Sequence, residues 1–169
     1  MIHRQLIEMD RSIEHKIIRG MREYFGDELV SLVLFGSQAR GTADEHSDID
    51  LLVIVEEVPS DWRKQRDIVN ELRMCPELVK LPVSIILQSP NVVRASLDTV
   101  QPLLFGILKD YKVLYDPEDF FETQAQIYRK HMQEWDVQEV DDYVWRVGII
   151  AEDAKKRANS ASILSGGKD

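Results

Sequence analysis

The stretch Leu32-Val33-Leu34-Phe35-Gly36-Ser37-Gln38-Ala39-Arg40-Gly41, joined by a polar loop to Ser47-Asp48-Ile49-Asp50-Leu51-Leu52-Val53-Ile54-Val55, decides how this chain folds. Residues 31–35 form a short, almost continuously apolar run, the pattern of a buried strand. Gly36 ends it. Glycine tolerates unusual φ and lets backbone approach a ligand closely. Ser37 can cap a following turn and offer its hydroxyl to an anion, and Arg40 is placed to reach a phosphate. Residues 49–55 repeat the apolar pattern and predict a second strand.

The second half of the stretch carries two acids. Side chains alternate along a strand, so Asp48 and Asp50 share a face, about 6–7 Å apart at Cα. Ile49, Leu51, Val53 and Val55 turn the other way, while Leu52 and Ile54 continue the Asp face as apolar residues. Adjacent carboxylates repel unless a cation lies between them. Hard oxygen ligands suit Mg²⁺ or Mn²⁺ rather than zinc. Alone, a Gly-Ser pair is an ordinary turn and an Asp-x-Asp is two solvated charges. With ten residues between them and apolar strands on their outer sides, they read as two halves of a metal–nucleotide site.

Gly36-Ser37, the ten-residue spacer and Asp48-Ile49-Asp50, together with Ala39-Arg40-Gly41 and Ser47, resemble the minimal nucleotidyltransferases of the DNA polymerase beta-like superfamily. The resemblance spans roughly residues 25–116 and is carried by a specific motif. It implies an α/β (α+β) fold: a small mixed sheet flanked by helices. It also implies transfer of a nucleoside monophosphate from a nucleoside triphosphate, with ATP the expected nucleotide, to a hydroxyl. In that picture Asp48 and Asp50 are catalytic and hold the metal, while Gly36, Ser37, Arg40 and Ser47 bind the nucleotide. The family usually places a third carboxylate on a later strand. The matching run here is Leu81-Pro82-Val83-Ser84-Ile85-Ile86-Leu87, and Ser84 occupies that position. A serine hydroxyl carries no negative charge near neutral pH and makes a poor general base. Loss of such a base costs about 10²–10⁴ in rate. Glu56 lies about 20 Å along the strand from Asp50, too far to substitute. Asp44, Glu45 and His46 read as solvated loop residues.

Composition narrows the function further. The chain has 169 residues, 44% hydrophobic and 30% charged, a globular profile with enough length for a core. Its net charge of −9 argues against coating nucleic acid by counterion release, and against an anionic membrane surface. A metal-bound triphosphate remains compatible, because local charges set that field. The single cysteine, Cys75, excludes an intrachain disulfide and reads as a structural thiol. Charges early in the chain and the lack of any apolar run near 20 residues lead to the expectation of a cytoplasmic protein with no signal peptide or membrane span.

The rest of the pattern fills in the fold. Ile2, Leu6, Met9, Ile13, Ile17, Met21 and Tyr24 form one helical stripe, stopped at Gly26. Residues 61–74 predict a helix with Ser60 as its cap. Its Arg63, Lys64 and Arg66 read as a solvated face. Residues 83–87 predict a third strand, and residues 91–109 two helical pieces broken near Pro102. Residues 112–115 predict a last strand. The nucleotidyltransferase domain is therefore expected over residues 1–116, with a C-terminal helical extension over 117–169. Phe121, Ala125, Tyr128, Met132 and Trp135 make one stripe there. Asp136-x-x-Glu139 resembles a capping box for a second, carried by Val140, Val144, Val147, Ala151, Ala154 and Ala158. These helices cover the sheet, or pair with another chain as a homo-oligomer or with a partner.

Two functions follow. One is a metal-dependent nucleotidyltransferase whose acceptor is a small molecule, a protein side chain or an RNA end. The other is a catalytically weak or inactive module. The resemblance implies a toxin–antitoxin setting for it, in which the chain binds a helical partner of the HEPN type as its antitoxin.

Overall fold

The structure is a computed structural model that describes residues 9–148. The chain divides into two compact units, the first ending at Ala125 and the second beginning at Gln126.

In the first unit, α1 (Arg11–Phe25) starts where the Asp10 carboxylate accepts from the Ile13 N–H at 2.8 Å, and ends at Gly26 with φ of 57°. A single 3₁₀ turn leads into β1 (Leu29–Phe35). Next come the short helix α2 (Gly36–Arg40), β2 (Ile49–Val55), α3 (Trp62–Met74) and β3 (Val83–Gln88). Helices α4 (Pro90–Ser96) and α5 (Pro102–Lys109) are separated as Pro102 requires, since proline suits a first helical turn and not an interior. β4 (Tyr111–Tyr115) follows, and α6 (Phe120–Glu134) begins in this unit and ends in the next.

The four strands form one sheet in the order β3-β2-β1-β4. β1 runs antiparallel to β2 and β4, whereas β2 and β3 are parallel, so the sheet is mixed as expected. One face carries Leu32, Leu34, Ile49, Leu51, Val53 and Val55, packed with Ile17 and Met21 of α1 and Leu72 of α3. The other face carries Leu52 and Ile54, 3% and 0% exposed. Leu52 and Ile86 meet Val93, Leu104, Ile107 and Phe121 around a small apolar cavity of about 80 Å³. Helical layers thus cover both faces, and the apolar continuation of the Asp face lies under α4, α5 and the start of α6.

One cap differs from expectation. Asp61, not Ser60, caps α3, with its carboxylate accepting from the Arg63 N–H at 2.9 Å. Asp116 holds the start of α6. It accepts from the Phe121 and Glu122 N–H groups, each at 3.2 Å, and from the fully buried Ser31 hydroxyl at 2.6 Å.

The second unit corrects the sequence reading. The helix expected from Val140, Val144 and Val147 is a hairpin, β5 (Val137–Asp141) and β6 (Val144–Val147). Asp136 sits at φ of 49° and Tyr143 at φ of 56°, conformations that end a helix and turn a chain. The capping box does not form. Glu139 instead turns its carboxylate to the Tyr143 N–H at 3.0 Å and pairs across the strands with Trp145. β-Branched and aromatic residues on either side of Asp142-Tyr143 favour strand over helix. Ile2, Leu6, Ala151, Ala154 and Ala158 lie outside the described residues.

Candidate active site

Strand register brings the site together. Phe35, the last residue of β1, lies opposite Asp50 on β2, so the chain leaves β1 directly beside the Asp50 side chain. There it turns at Gly36, with φ of +73°. A Cβ at that position would lie 2.3 Å from Asp50 Oδ2, well inside contact distance. Only glycine lets the bend and the carboxylate approach this closely, for conformational and steric reasons together. α2 then runs to Arg40, and Gly41 in the left-handed region returns its N–H to the Ser37 carbonyl.

On the other side of β2, the parallel register sets Ser84 of β3 beside Asp50. The Ser84 hydroxyl donates to the Asp50 carboxylate. Burial pushes the Asp50 carboxyl above its ordinary range, and the Asp48 charge pushes in the same direction. The Ser84 hydrogen bond and the Arg40 guanidinium act against that rise. Asp48 sits just before β2 and is exposed, while Asp50 is half-buried. The two acids therefore differ: one faces water, and the other is wedged among a glycine bend, a hydroxyl and a cation.

The loop between the halves has its own order. The Asp44 carboxylate accepts from the His46 N–H and the Ser47 hydroxyl, each at 2.9 Å, and both bonds hold it below the ordinary carboxylate range. The Asp44 N–H in turn donates to the Ser47 hydroxyl at 2.9 Å. Ser47, expected at the nucleotide, thus has its hydroxyl hydrogen committed to the loop. Arg40 donates through Nε to the Thr42 hydroxyl at 3.3 Å, and its charge acts on Asp50. Sequence reasoning placed Gly36, Ser37, Arg40, Asp48 and Asp50 in one neighbourhood. It missed the bond from Ser84 to Asp50 and the closure by Asp44. Asp44-x-x-Ser47 is a side-chain turn pattern that could have signalled the second.

A hard divalent cation fits this donor set. Magnesium takes one or two protein carboxylates and completes its shell with phosphate oxygens and water. Asp48 offers a solvent-exposed carboxylate, and Asp50 is an uncomfortable anion that a cation would relieve. Among the described residues, no group of three or more His, Cys, Asp or Glu side chains gathers to hold a metal. Oxygens of a substrate would have to complete the shell.

Comparison with known proteins agrees with this geometry. The family model for the nucleotidyltransferase domain matches residues 14–157. The chain belongs to the nucleotidyltransferase domain family. A Methanocaldococcus jannaschii nucleotidyltransferase relative, named as a candidate protein adenylyltransferase, is 40% identical over 120 residues, 69% of this chain and 78% of that protein. Two solved structures are more distantly similar. One is a toxin–antitoxin complex with AMP-PNP, at 21% identity over 73% of this chain and 92% of that one, with a TM-score of 0.49. The second is a tri-AMPylated Shewanella oneidensis HEPN toxin in complex with its MNT antitoxin. There the identity is 19% over 76% of this chain and 93% of that one, with a TM-score of 0.46. The family assignment rests on the first two findings. Among the described residues, no helix is long and apolar enough to cross a membrane.

Proposed function

We propose that this nucleotidyltransferase moves an adenylyl group from ATP to a hydroxyl on a protein. The observation that supports the reading is the close approach of the Gly36 bend to the Asp50 carboxylate. The name of the 40%-identical relative favours adenylyl as the group and protein as the acceptor.

In this reading Asp48 and Asp50 hold a divalent cation, Mg²⁺ or Mn²⁺. When bound, such an ion withdraws charge from the phosphates. The backbone at Gly36 and Ser37 lines the triphosphate. Arg40, already beside Asp50, places a guanidinium where phosphate charge collects. Ser47 acts through the loop, keeping Asp48 at the mouth of the site. An acceptor oxygen forms a bond to the α-phosphorus as the bond to the bridging oxygen breaks. Pyrophosphate leaves, and the acceptor's proton passes to water.

The test is incubation with α-labelled ATP, Mg²⁺ and a mixture of candidate acceptor proteins. Label entering protein, with matching pyrophosphate, is the expected result. Release no faster than from an Asp48→Ala, Asp50→Ala double variant overturns the reading.

One observation favours a second reading. Ser84 stands beside Asp50 where an acid would supply a base, and among the described residues no third acid joins Asp48 and Asp50. A module that binds a HEPN-type helical partner as an antitoxin needs no base. A stable complex with such a partner that forms equally well without nucleotide, and no label transfer, is the outcome that selects it.

A further inference from the structure

We infer that the site holds a single divalent cation, not a pair, and that Ser84 positions Asp50 for it. The inference rests on the proposed function and concerns the same site.

The register sets Ser84 and Asp50 side by side on parallel strands, and the Ser84 hydroxyl donates to the Asp50 carboxylate. That bond occupies one of the lone pairs Asp50 could offer a metal. It also ties the carboxylate to the Ser84 side, while the Gly36 bend lies so near that an added Cβ would fall 2.3 Å from Oδ2. The count of protein ligands agrees. Asp48 and Asp50 bring two negative charges, and Arg40 sets one positive charge within Coulombic range of Asp50. A second divalent ion would find no further protein carboxylate to hold it, since no third acid joins the pair among the described residues. Two carboxylates and phosphate oxygens satisfy one magnesium-sized ion. A second ion would lack a protein carboxylate of its own. Ser84 is therefore a positioning residue: it orders the ligand without carrying charge, as outer-shell donors do.

The test counts Mn²⁺ bound to the whole protein saturated with a non-hydrolysable ATP analogue, by the electron paramagnetic resonance signal of the free ion. One Mn²⁺ per chain is expected, and two per chain in the wild type overturns the inference without recourse to any variant. Ser84→Asp should raise the count to two, and a count still at one speaks against the missing third carboxylate as the limit. Ser84→Ala should weaken Mn²⁺ binding by about tenfold, and Ser84→Thr should restore it. Affinity unchanged in Ser84→Ala removes the positioning role. A wild-type count that Asp48→Asn and Asp50→Asn leave unaltered overturns the proposed function itself, and the inference with it.

Discussion

Adding a methyl group at position 36 would drive it to 2.3 Å from Asp50 Oδ2, on a backbone with φ of +73°. The left-handed conformation alone costs a residue other than glycine about 1–2 kcal/mol. The clash must be relieved by moving either the bend or the carboxylate. Gly36→Ala should therefore lose about 2 kcal/mol in urea unfolding. Its transfer rate should fall by roughly 10², the scale on which small misplacements act. Asp50 itself gives the opposite trade. Its folded pKa lies above its unfolded value, chiefly through burial. In the window between the two, the native state keeps a proton that the unfolded chain has released. Stability from this group therefore falls as pH rises through that window, and the ionised carboxyl weighs against folding at neutral pH. Metal-free Asp50→Asn should match or exceed the wild type in urea midpoint at neutral pH. Below the ordinary carboxylate pKa the difference should vanish. Mg²⁺ should raise the wild-type midpoint and leave that of Asp50→Asn unchanged. A destabilised Asp50→Asn at neutral pH would contradict this account.

Among the elements, caps decide more than the chain's apolar pattern reveals. Asp61 caps α3 and Ser60 does not, so Asp61→Ala should cost about 1 kcal/mol and Ser60→Ala close to nothing. Urea midpoints of the two variants, compared side by side, separate them. Asp116 is the stronger case. It satisfies two N–H groups of α6 and the hydroxyl of Ser31, which is 0% exposed. Asp116→Ala strands a buried donor and uncaps a helix, and should cost about 2–3 kcal/mol by the same measurement. Local pattern made β2 legible to the residue, because Ile49–Val55 is apolar on both faces. It made the break at Pro102 legible because proline forbids one continuous helix. It failed at the β5–β6 hairpin, where Val140, Val144 and Val147 fall at helical spacing and also on two short strands. Three valines cannot distinguish the periods, and Asp142-Tyr143 was the signal to weigh. In the site, the Gly36–Asp50 neighbourhood was legible because the motif is local. The Ser84–Asp50 bond was not, because it depends on the strand order β3-β2-β1-β4, which no short stretch of sequence encodes.

At the scale of the whole molecule, charge bears on the acceptor. The chain carries a net charge of −9, whereas its candidate site sets Arg40 beside two carboxylates. In the proposed reaction ATP would reach the site as a metal complex, so the global field would weigh little on that step. A protein acceptor approaches over a much larger surface and meets the summed field of the chain, which steers cationic partners inward and slows anionic ones. That field is screened over about 10 Å at 0.1 M salt. Two measurements on one preparation separate the steps. Raising salt from about 0.05 M to about 0.3 M should slow label transfer to a basic acceptor protein several-fold, because the Debye length shrinks across that range. Over the same range, pyrophosphate release in the absence of acceptor should change little, since its charges lie in contact within the site. Equal salt sensitivity of the two steps, or faster transfer to acidic acceptors, would show that local contacts rather than the overall charge select the partner.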